Sequence, residues 1–533
     1  MSLQRKVLFA AAATAALALA GQSASRAAPP AVEVLIRGGE VYTGEDRGPI
    51  HADVGLAGDR IVFVGDAAAA RVKAARTVEA AGLVVAPGFI DVHTHSGGDL
   101  GSDDAKVRAV PNHLLQGVST VFVGNDGDGR PDIEAQARAF EAKGVGVNVA
   151  QFVGFGAVRR QVVGEAAREP TADELGRMKT LVAGAMCQGA LGLSTGLYYA
   201  PQSFAKTDEV VALAREAGAR GGLYDTHMRD ESSDNIGLLA AVDEVLAIGR
   251  QAGLPVHIAH IKAQGVDVHG KSGEVIARIE KARAEGLNVT ADQYPWLASG
   301  THVSNALVPR WAMDGGEEAM RARLADPALR PRLECEIADN LRRRGGRDSL
   351  LLTSGPHRGV TLGALAQSWS VDPIEAAIRV VRDEKDARVA SFNMTEPDMR
   401  AFAVRPWVVS GSDASTGHPR KYGTFPLIWR KLVREDRVLT PQQFVRRSTG
   451  LTADIYGLKD RGYLKTGYAA DVVVFDPAAF RERADFQRPT ELSEGVRWLF
   501  VNGKPAVEAG AVTGALPGRA LLKPRSPAWE CPA

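Results

Sequence analysis

The sequence predicts an α/β fold, a (β/α)8 barrel carrying a small β-sandwich assembled from both chain ends. Three observations carry that prediction. The body of the chain alternates β-like and helix-like stretches, the pattern of βα units on a parallel sheet. Eight candidate strands can be counted there, the number a closed barrel needs. Histidines and an aspartate fall at the C-terminal ends of several of those strands, the face on which barrel enzymes carry their chemistry.

Length and composition set the outer limits. With 533 residues the chain is too long for one small domain and suits a barrel of roughly 250–400 residues plus a second unit. A hydrophobic content of 45% and a charged content of 24% are ordinary for a soluble globular protein. The net charge of +1 gives no reason to expect a nucleic-acid surface. Cys187, Cys335 and Cys531 lack CxxC spacing, so they suggest neither a disulfide framework nor a zinc knuckle. Cys187, in a helix-like stretch, reads as a core residue.

Residues 1–28 read as a Sec-type signal peptide. Arg5 and Lys6 precede an apolar run from Val7 to Ala20, followed by small residues and then Pro29 and Pro30. The run is short for a bilayer span, no twin arginine precedes it, and no cysteine follows to accept a lipid. Cleavage is expected within Ser23–Ala31, giving a periplasmic or secreted product with no stable membrane association.

Residues 29–86 form the first part of the sandwich. Val34–Arg37, Glu40–Thr43, Ala52–Leu56, Arg60–Val64 and Thr77–Glu79 are short alternating runs parted by glycine turns. Residues 463–533 repeat that style in Asp471–Phe475, Val496–Val501 and Ala506–Val507, and end in a C-terminal tail. Such a unit would fix the barrel's position without supplying chemistry.

Residues 87–462 hold the barrel. Its candidate strands are Gly88–His95, Val118–Asn125, Gly146–Gly154, Leu191–Leu197, Gly222–His227, Val256–His260, Leu287–Asp292 and Trp407–Asp413. Helix-like runs such as Asp173–Gln188, Asp208–Ala219, Gly237–Ala252 and Gly273–Glu285 separate them. From Thr301 to about Leu352 the sequence turns polar and helical, with Pro309, Pro327 and Pro331. This stretch reads as an insertion over the barrel mouth, a lid, with the next barrel helix expected at Pro373–Glu384.

The first strand is the most informative. Val84–His95 reads VVAPGFIDVHTH, and residues i and i+2 on a strand point to one face, so His93 and His95 converge. His227 closes strand five, His260 strand six and Asp413 strand eight. Neutral imidazole and carboxylate are natural Zn²⁺ ligands at roughly 2.0–2.2 Å. Two such metals about 3.5–4 Å apart can activate one water and polarise a carbonyl. Asp413 is better placed as general base for that water and then as acid for the leaving amine.

Several segments together resemble a known family. They are the HTH after PGFID, LGLSTGLYYAP (Leu191–Pro201), THMRDES from Thr226, HIAHIKAQG from His257, DQYPW from Asp292, and SDA with HPRKYGTFP (His418–Pro426). In these the chain resembles the N-acyl-D-amino-acid deacylases, or D-aminoacylases, of the amidohydrolase superfamily, over about residues 32–480. The resemblance implies a distorted (β/α)8 TIM barrel with a β-sandwich, and zinc-dependent hydrolysis of the amide of an N-acyl-D-amino acid. It assigns His93 and His95 to a more weakly held metal, His227 and His260 to a tighter zinc, and Asp413 to acid/base catalysis. It puts Lys262, Tyr294 and Arg420 near the substrate carboxylate and Tyr198 near the scissile carbonyl. Arg as a bidentate fork and Lys as a point charge suit that carboxylate, and a Tyr donor suits an oxyanion.

The chain also departs from the family. Where the family carries a cysteine ligand in a GNCG turn, this chain reads Val123-Gly124-Asn125-Asp126-Gly127. Asp126 is retained as a ligand; its harder oxygen donor changes the metal preference the site should have and leaves one zinc or two per subunit open. Ser194-Thr195-Gly196 offers no lysine for a carboxylated bridge, and Ala298-Ser299-Gly300 matches imperfectly at the serine expected near DQYP. A related amidohydrolase acting on dipeptides or cyclic amides would use the same centre, although Lys262 and Arg420 favour a free carboxylate over a neutral ring. A non-catalytic protein of the same fold is the remaining reading, and the full set of metal-type residues with Asp413 argues against it. The expected partner is a small N-acyl amino acid or dipeptide.

Overall fold

The computed structural model describes residues 31–532, so the signal segment lies outside the described residues. Eight parallel strands follow one another around a ring: Phe89–Asp91, Val118–Val123, Asn148–Gly154, Gly192–Gly196, Leu223–His227, Val256–Ile258, Val289–Gln293 and Val408–Ser410. Strand three is interrupted at Phe152; its first half pairs with strand two and Val153–Gly154 pairs with strand four. The ring closes where Thr94 bridges Ala414 in parallel and the His95 N–H donates to the Ala414 carbonyl at 3.1 Å. The strands are buried almost throughout, as a parallel sheet covered by helices requires. Each observed strand is shorter than its sequence run; in strands one, two, four, six and eight the last residues leave the ladder toward the mouth, and strands three, five and seven are shortened at their start.

Helix boundaries follow local chemistry. Thr171 and Thr440 each complete a capping box, with Glu174 and Gln443 respectively, and satisfy amides that no helical carbonyl can reach. Pro373 and Pro441 occupy first-turn positions, where a missing N–H costs nothing.

The sandwich is built from both ends of the chain. Ala31–Arg37, Asp53–Ala57, Arg60–Gly65 and Lys73–Glu79 form one sheet. In the other, Val84–Pro87 pairs antiparallel with Val472–Phe475 and then runs directly into barrel strand one. Phe89 stacks on Phe425 at 5.6 Å between ring centroids and meets Phe444 edge-on at 5.2 Å and Phe475 at 6.1 Å. That aromatic cluster locks the sandwich to the base of the strand carrying His93 and His95.

Two expectations are corrected. The insertion is larger than 301–352. Ser299–His302, Leu350–Leu352 and Arg388–Ser391 form one three-stranded antiparallel sheet, and the helix Pro373–Asp383 packs inside this unit on Leu307, Leu365 and Leu333. The helix that serves the barrel before strand eight is Glu396–Ala403. An amphipathic helix does not reveal in sequence which core it faces.

The second correction concerns the cysteines. Cys187 is not a free core residue; it is disulfide-bonded to Cys531 across 344 residues, and Cys335 is free and exposed. The C-terminal tail makes this pairing possible. Ala520–Leu521 adds in parallel to the base of strand three, and the Lys523 N–H donates to the Gly189 carbonyl. Gly518 passes so close to strand three that a Cβ there would lie 2.0 Å from the Val147 carbonyl oxygen. Arg220 then donates to the Glu530 carbonyl beside the disulfide. Cysteine spacing reports local pairs only, and this one is made by a strap crossing the barrel floor. Thiol titration of the unreduced native protein should therefore count one reactive thiol, that of Cys335. Cys531→Ser should cost about 2–4 kcal/mol of stability in chemical denaturation and leave turnover within twofold, because the strap lies at the end opposite the histidines.

Candidate metal centre

The residues expected at the strand ends do come together. Asp126 stands at the middle. Its Oδ1 lies 3.3 Å from His93 Nε2 and 3.7 Å from His260 Nε2, and its Oδ2 lies 3.6 Å from His95 Nε2 and 3.8 Å from His227 Nδ1. Asp413 Oδ1 is 3.3 Å from His95 Nε2, and His227 Nδ1 is 3.0 Å from His260 Nε2. These atoms fall into overlapping clusters compact enough to hold an ion: His93–His95–Asp413, His93–Asp126–His260 and His227–Glu231–His260.

The backbone is bent to achieve this. Asp126, His260 and Asp413 have φ of 56°, 35° and 49°. Left-handed conformations in non-glycine residues cost energy and persist where the surroundings enforce them, most often at functional sites. Asp91 does part of the enforcing. It is fully buried, and its Oδ1 accepts the Ser412 N–H at 2.9 Å and the His93 N–H at 3.4 Å, tying the histidine pair to the segment that carries Asp413. Asn125 adds a second tie, donating to the Val92 carbonyl at 3.0 Å.

The electrostatics fit a cation. His93 is wholly buried, and neither of its ring nitrogens makes a hydrogen bond; Asp126 Oδ1 is likewise unpaired. Such orphaned atoms are rare in folded proteins and call for a ligand. Burial opposes a charge on His93, yet Asp126 and Asp413 more than offset it and hold its pKa up at about 9. Burial and Lys262 likewise oppose a charge on His260, but Glu231 and Asp413 carry it to about 10. His227, where burial dominates, is pushed down to about 4. The carboxylates therefore draw positive charge to the strand ends, and a divalent metal bound by neutral imidazoles would supply it. With an oxygen and nitrogen donor set the residues present fit zinc.

Sequence reasoning missed Glu231. It is 3% exposed; its Oε1 lies 3.1 Å from His260 Nδ1 and its Oε2 3.7 Å from His227 Nε2. A carboxylate behind both imidazoles, with Lys262 Nζ 2.6 Å from His260 Nδ1, orients the rings so that His227 Nδ1 and His260 Nε2 face Asp126. The signal was available, since Glu231 stands four residues after His227 in THMRDES.

A tight cavity of only about 20 Å³ opens beside this centre, and the substrate-type residues line it with a different division of labour from that expected. Lys262 Nζ donates to Glu231 Oε1 at 2.7 Å, and the Arg420 guanidinium pairs with Asp413 Oδ2 at 2.8 Å. Burial alone would raise the Asp413 carboxyl, but Arg420 and the neighbouring imidazoles hold it well below the usual range. The Tyr294 hydroxyl is buried without a hydrogen-bond partner, with the Arg420 guanidinium 4.7 Å from its ring. Tyr198 is corrected. Its ring lines the cavity, but its hydroxyl donates to the Asn305 carbonyl and accepts from Arg344, both at 2.8 Å, so it is not free for a scissile carbonyl. The hydroxyl that faces the metal cluster belongs to Tyr199, 3.5 Å from His227 Nδ1. In LYY the sequence does not distinguish the two. Arg344, brought in by the insertion, was also missed.

Comparison with known proteins agrees with this geometry. The amidohydrolase family model matches residues 76–305 and 375–507, skipping most of the insertion.

The chain belongs to the amidohydrolase family.

D-aminoacylase from Alcaligenes xylosoxydans xylosoxydans is 34% identical to this amidohydrolase over 520 residues, covering 92% of this chain and 98% of the relative. A solved D-aminoacylase structure concerned with its binuclear metal centre superposes with a TM-score of 0.77 at 32% identity, covering 92% of this chain and all of that one. N-acyl-D-glutamate deacylase from Bordetella bronchiseptica, solved with zinc and a phosphonate mimic of the tetrahedral intermediate, gives 0.79 at 31% identity, covering 92% and 99%.

Replacing Glu231 with Gln should loosen both imidazoles it backs. Chelator-competition titration of the apoprotein should show metal affinity falling about 10–100-fold with circular dichroism unchanged. Unaltered affinity would remove Glu231 from this role.

Proposed function

We propose that this amidohydrolase hydrolyses the amide of N-acyl-D-amino acids. The observation that carries the reading is the junction of two features: a metal-type cluster of four imidazoles and three carboxylates, and, sharing Asp413 with it, a cavity bearing Lys262, Arg420 and an unpaired Tyr294 hydroxyl. Full-length relatives named for D-aminoacylase and N-acyl-D-glutamate deacylase support both the amide and the D configuration.

His93, His95, Asp126, His227 and His260 would hold the zinc, which when bound supplies Lewis acidity toward the carbonyl and the attacking water. The rest of the work belongs to the chain. Arg420, Lys262 and Tyr294 gather the substrate carboxylate. Tyr199 offers its hydroxyl to the carbonyl oxygen as that oxygen gains charge. Asp413 takes a proton from the water as the water oxygen bonds to the carbonyl carbon. It then returns a proton to the amine nitrogen as the C–N bond breaks, releasing a carboxylate and the free amino acid. Arg420 pairs with Asp413 in the free protein, so a bound carboxylate would draw this guanidinium partly away from the base. That coupling favours substrates with a free carboxylate over neutral rings.

Export is proposed with it. Arg5–Lys6 ahead of the Val7–Ala20 run supports a signal peptide. The Cys187–Cys531 disulfide supports an oxidising compartment, the periplasm or the exterior. Fractionation with N-terminal mass analysis tests this, with the mature terminus expected within residues 23–31.

A panel of N-acetyl-D- and N-acetyl-L-amino acids, scored by amine release from the zinc-loaded protein, tests the activity; turnover of the L series alone would contradict it. Asp413→Asn should abolish turnover, by about 10³-fold or more, with metal content largely kept. Tyr294→Phe should raise KM roughly tenfold, the worth of one hydrogen bond to a charged group, with kcat within threefold. The Tyr294→Phe effect should vanish when the substrate carboxylate is amidated.

A further inference from the structure

One opening beside the insertion takes no part in the chemistry above. Its volume is about 410 Å³, within the range of small-molecule sites, roughly 300–1,000 Å³. The walls come from Asp234–Asn235 after strand five, Val308–Trp311 at the start of the insertion, and the helix Arg330–Arg343. Tyr198 stands between this opening and the catalytic cavity and lines both. Cys335, the exposed free thiol, also lines it, so the opening is reachable from solvent.

Most of its charges are already paired. Arg229 pairs with Glu244 at 2.8 Å, Glu336 with Arg332 at 2.8 Å, and Asp339 with Arg343 at 2.5 Å. Two groups of opposite sign are left. Arg310 donates only to neutral acceptors, among them the Asn305 carbonyl at 2.9 Å and the Val308 carbonyl at 3.4 Å, and among the described residues no carboxylate pairs with it. Asp234 Oδ1 is buried with no hydrogen-bond partner, and its ion pair to Arg343 Nη1 is stretched to 3.9 Å. Arg343 Nε is likewise buried and unpaired. Such atoms are rare in folded proteins and call for a partner. An anion alone would serve the two guanidinium groups and leave the carboxylate oxygen bare; a cation alone would do the reverse. A zwitterion serves both. Val308, Pro309 and Trp311 add an apolar wall for an uncharged side chain.

We propose that this opening binds a free α-amino acid, its carboxylate on Arg310 and its ammonium on Asp234, and that binding there slows turnover. The proposal rests on the deacylase reading above, which makes a free amino acid the product. An N-acyl substrate carries no ammonium, so it does not compete for this site. The coupling has a short route. The Arg310 guanidinium lies 4.1 Å from the centre of the Tyr198 ring, and the Asn305 carbonyl accepts from both Arg310 Nη2 and the Tyr198 hydroxyl. A carboxylate that draws Arg310 into the opening disturbs the support of a side chain that walls the catalytic cavity.

Three compounds of one carbon skeleton test this on the zinc-loaded protein: D-leucine, 3-methylbutylamine, which lacks the carboxylate, and 4-methylpentanoate, which lacks the ammonium. Saturating D-leucine should slow alkylation of Cys335 about fivefold or more, and the other two should leave it nearly unchanged. In turnover of an N-acetyl-D-amino acid, D-leucine should lower kcat about fivefold as well as raise KM. Asp234→Asn should raise the D-leucine concentration needed for protection about tenfold, the worth of one hydrogen bond between charged groups. The same variant should abolish the kcat effect and keep kcat without D-leucine within twofold. Arg310→Met should weaken protection equally. Equal protection by the amine or the carboxylate, protection unchanged in both variants, or inhibition by D-leucine that is competitive alone would overturn the proposal. Alkylation is scored without turnover, so a protein that protected Cys335 yet cleaved no N-acyl-D-amino acid would sink the deacylase reading and not the site.

Discussion

The carboxylate of Asp126, held among four imidazoles at one end of a closed barrel, is the constraint on which the rest of the structure depends. Removing such charges from water is costly unless each finds an opposite partner. The fold answers with imidazoles at 3.3–3.8 Å from both oxygens, a second carboxylate across from His95, and Glu231 behind the pair that Asp126 does not fully satisfy. That balance still leaves His93 without a hydrogen bond. The cluster is complete only with a bound cation, which is why it reads as a metal centre and not as a buried ion-pair network.

Holding that arrangement requires rigidity elsewhere. Three residues of the centre sit in left-handed backbone, and strained conformations survive only on a frame that cannot relax. The frame is supplied by the sealed ring of eight strands, by the aromatic packing around Phe89 beneath the HxH segment, and by Asp91 joining the ends of strands one and eight. The disulfide-tied tail braces the floor, where strand three has not yet met strand four. The insertion contributes from above, bringing Ser299–Thr301 and Arg344 to the cavity wall.

The barrel and the strand-end histidines with Asp413 were legible in the sequence because they are written locally, whereas Asp126 was reached only through the resemblance to a known family. A period-2 apolar run ending in HTH specifies a strand and the direction of its histidines, whatever the remainder of the chain does. What was not legible is non-local. The Cys187–Cys531 pair depends on a tail strand added hundreds of residues from its partner. The membership of Pro373–Asp383 in the insertion depends on which apolar surface its helix meets. The choice between Tyr198 and Tyr199 depends on Arg344 and Asn305, which arrive from the insertion to claim one hydroxyl. Likewise Lys262 and Arg420 were expected as waiting cations, and burial forces each to find a carboxylate in the free protein.

The most direct test of the central claim is anomalous diffraction at the zinc edge from crystals of the active protein. The account predicts one or two peaks enclosed by His93, His95, Asp126, His227, His260 and Asp413, each within about 2.0–2.2 Å of a ring nitrogen or carboxylate oxygen. Catalytically active crystals with no peak there, or with metal bound only elsewhere on the barrel, would contradict it.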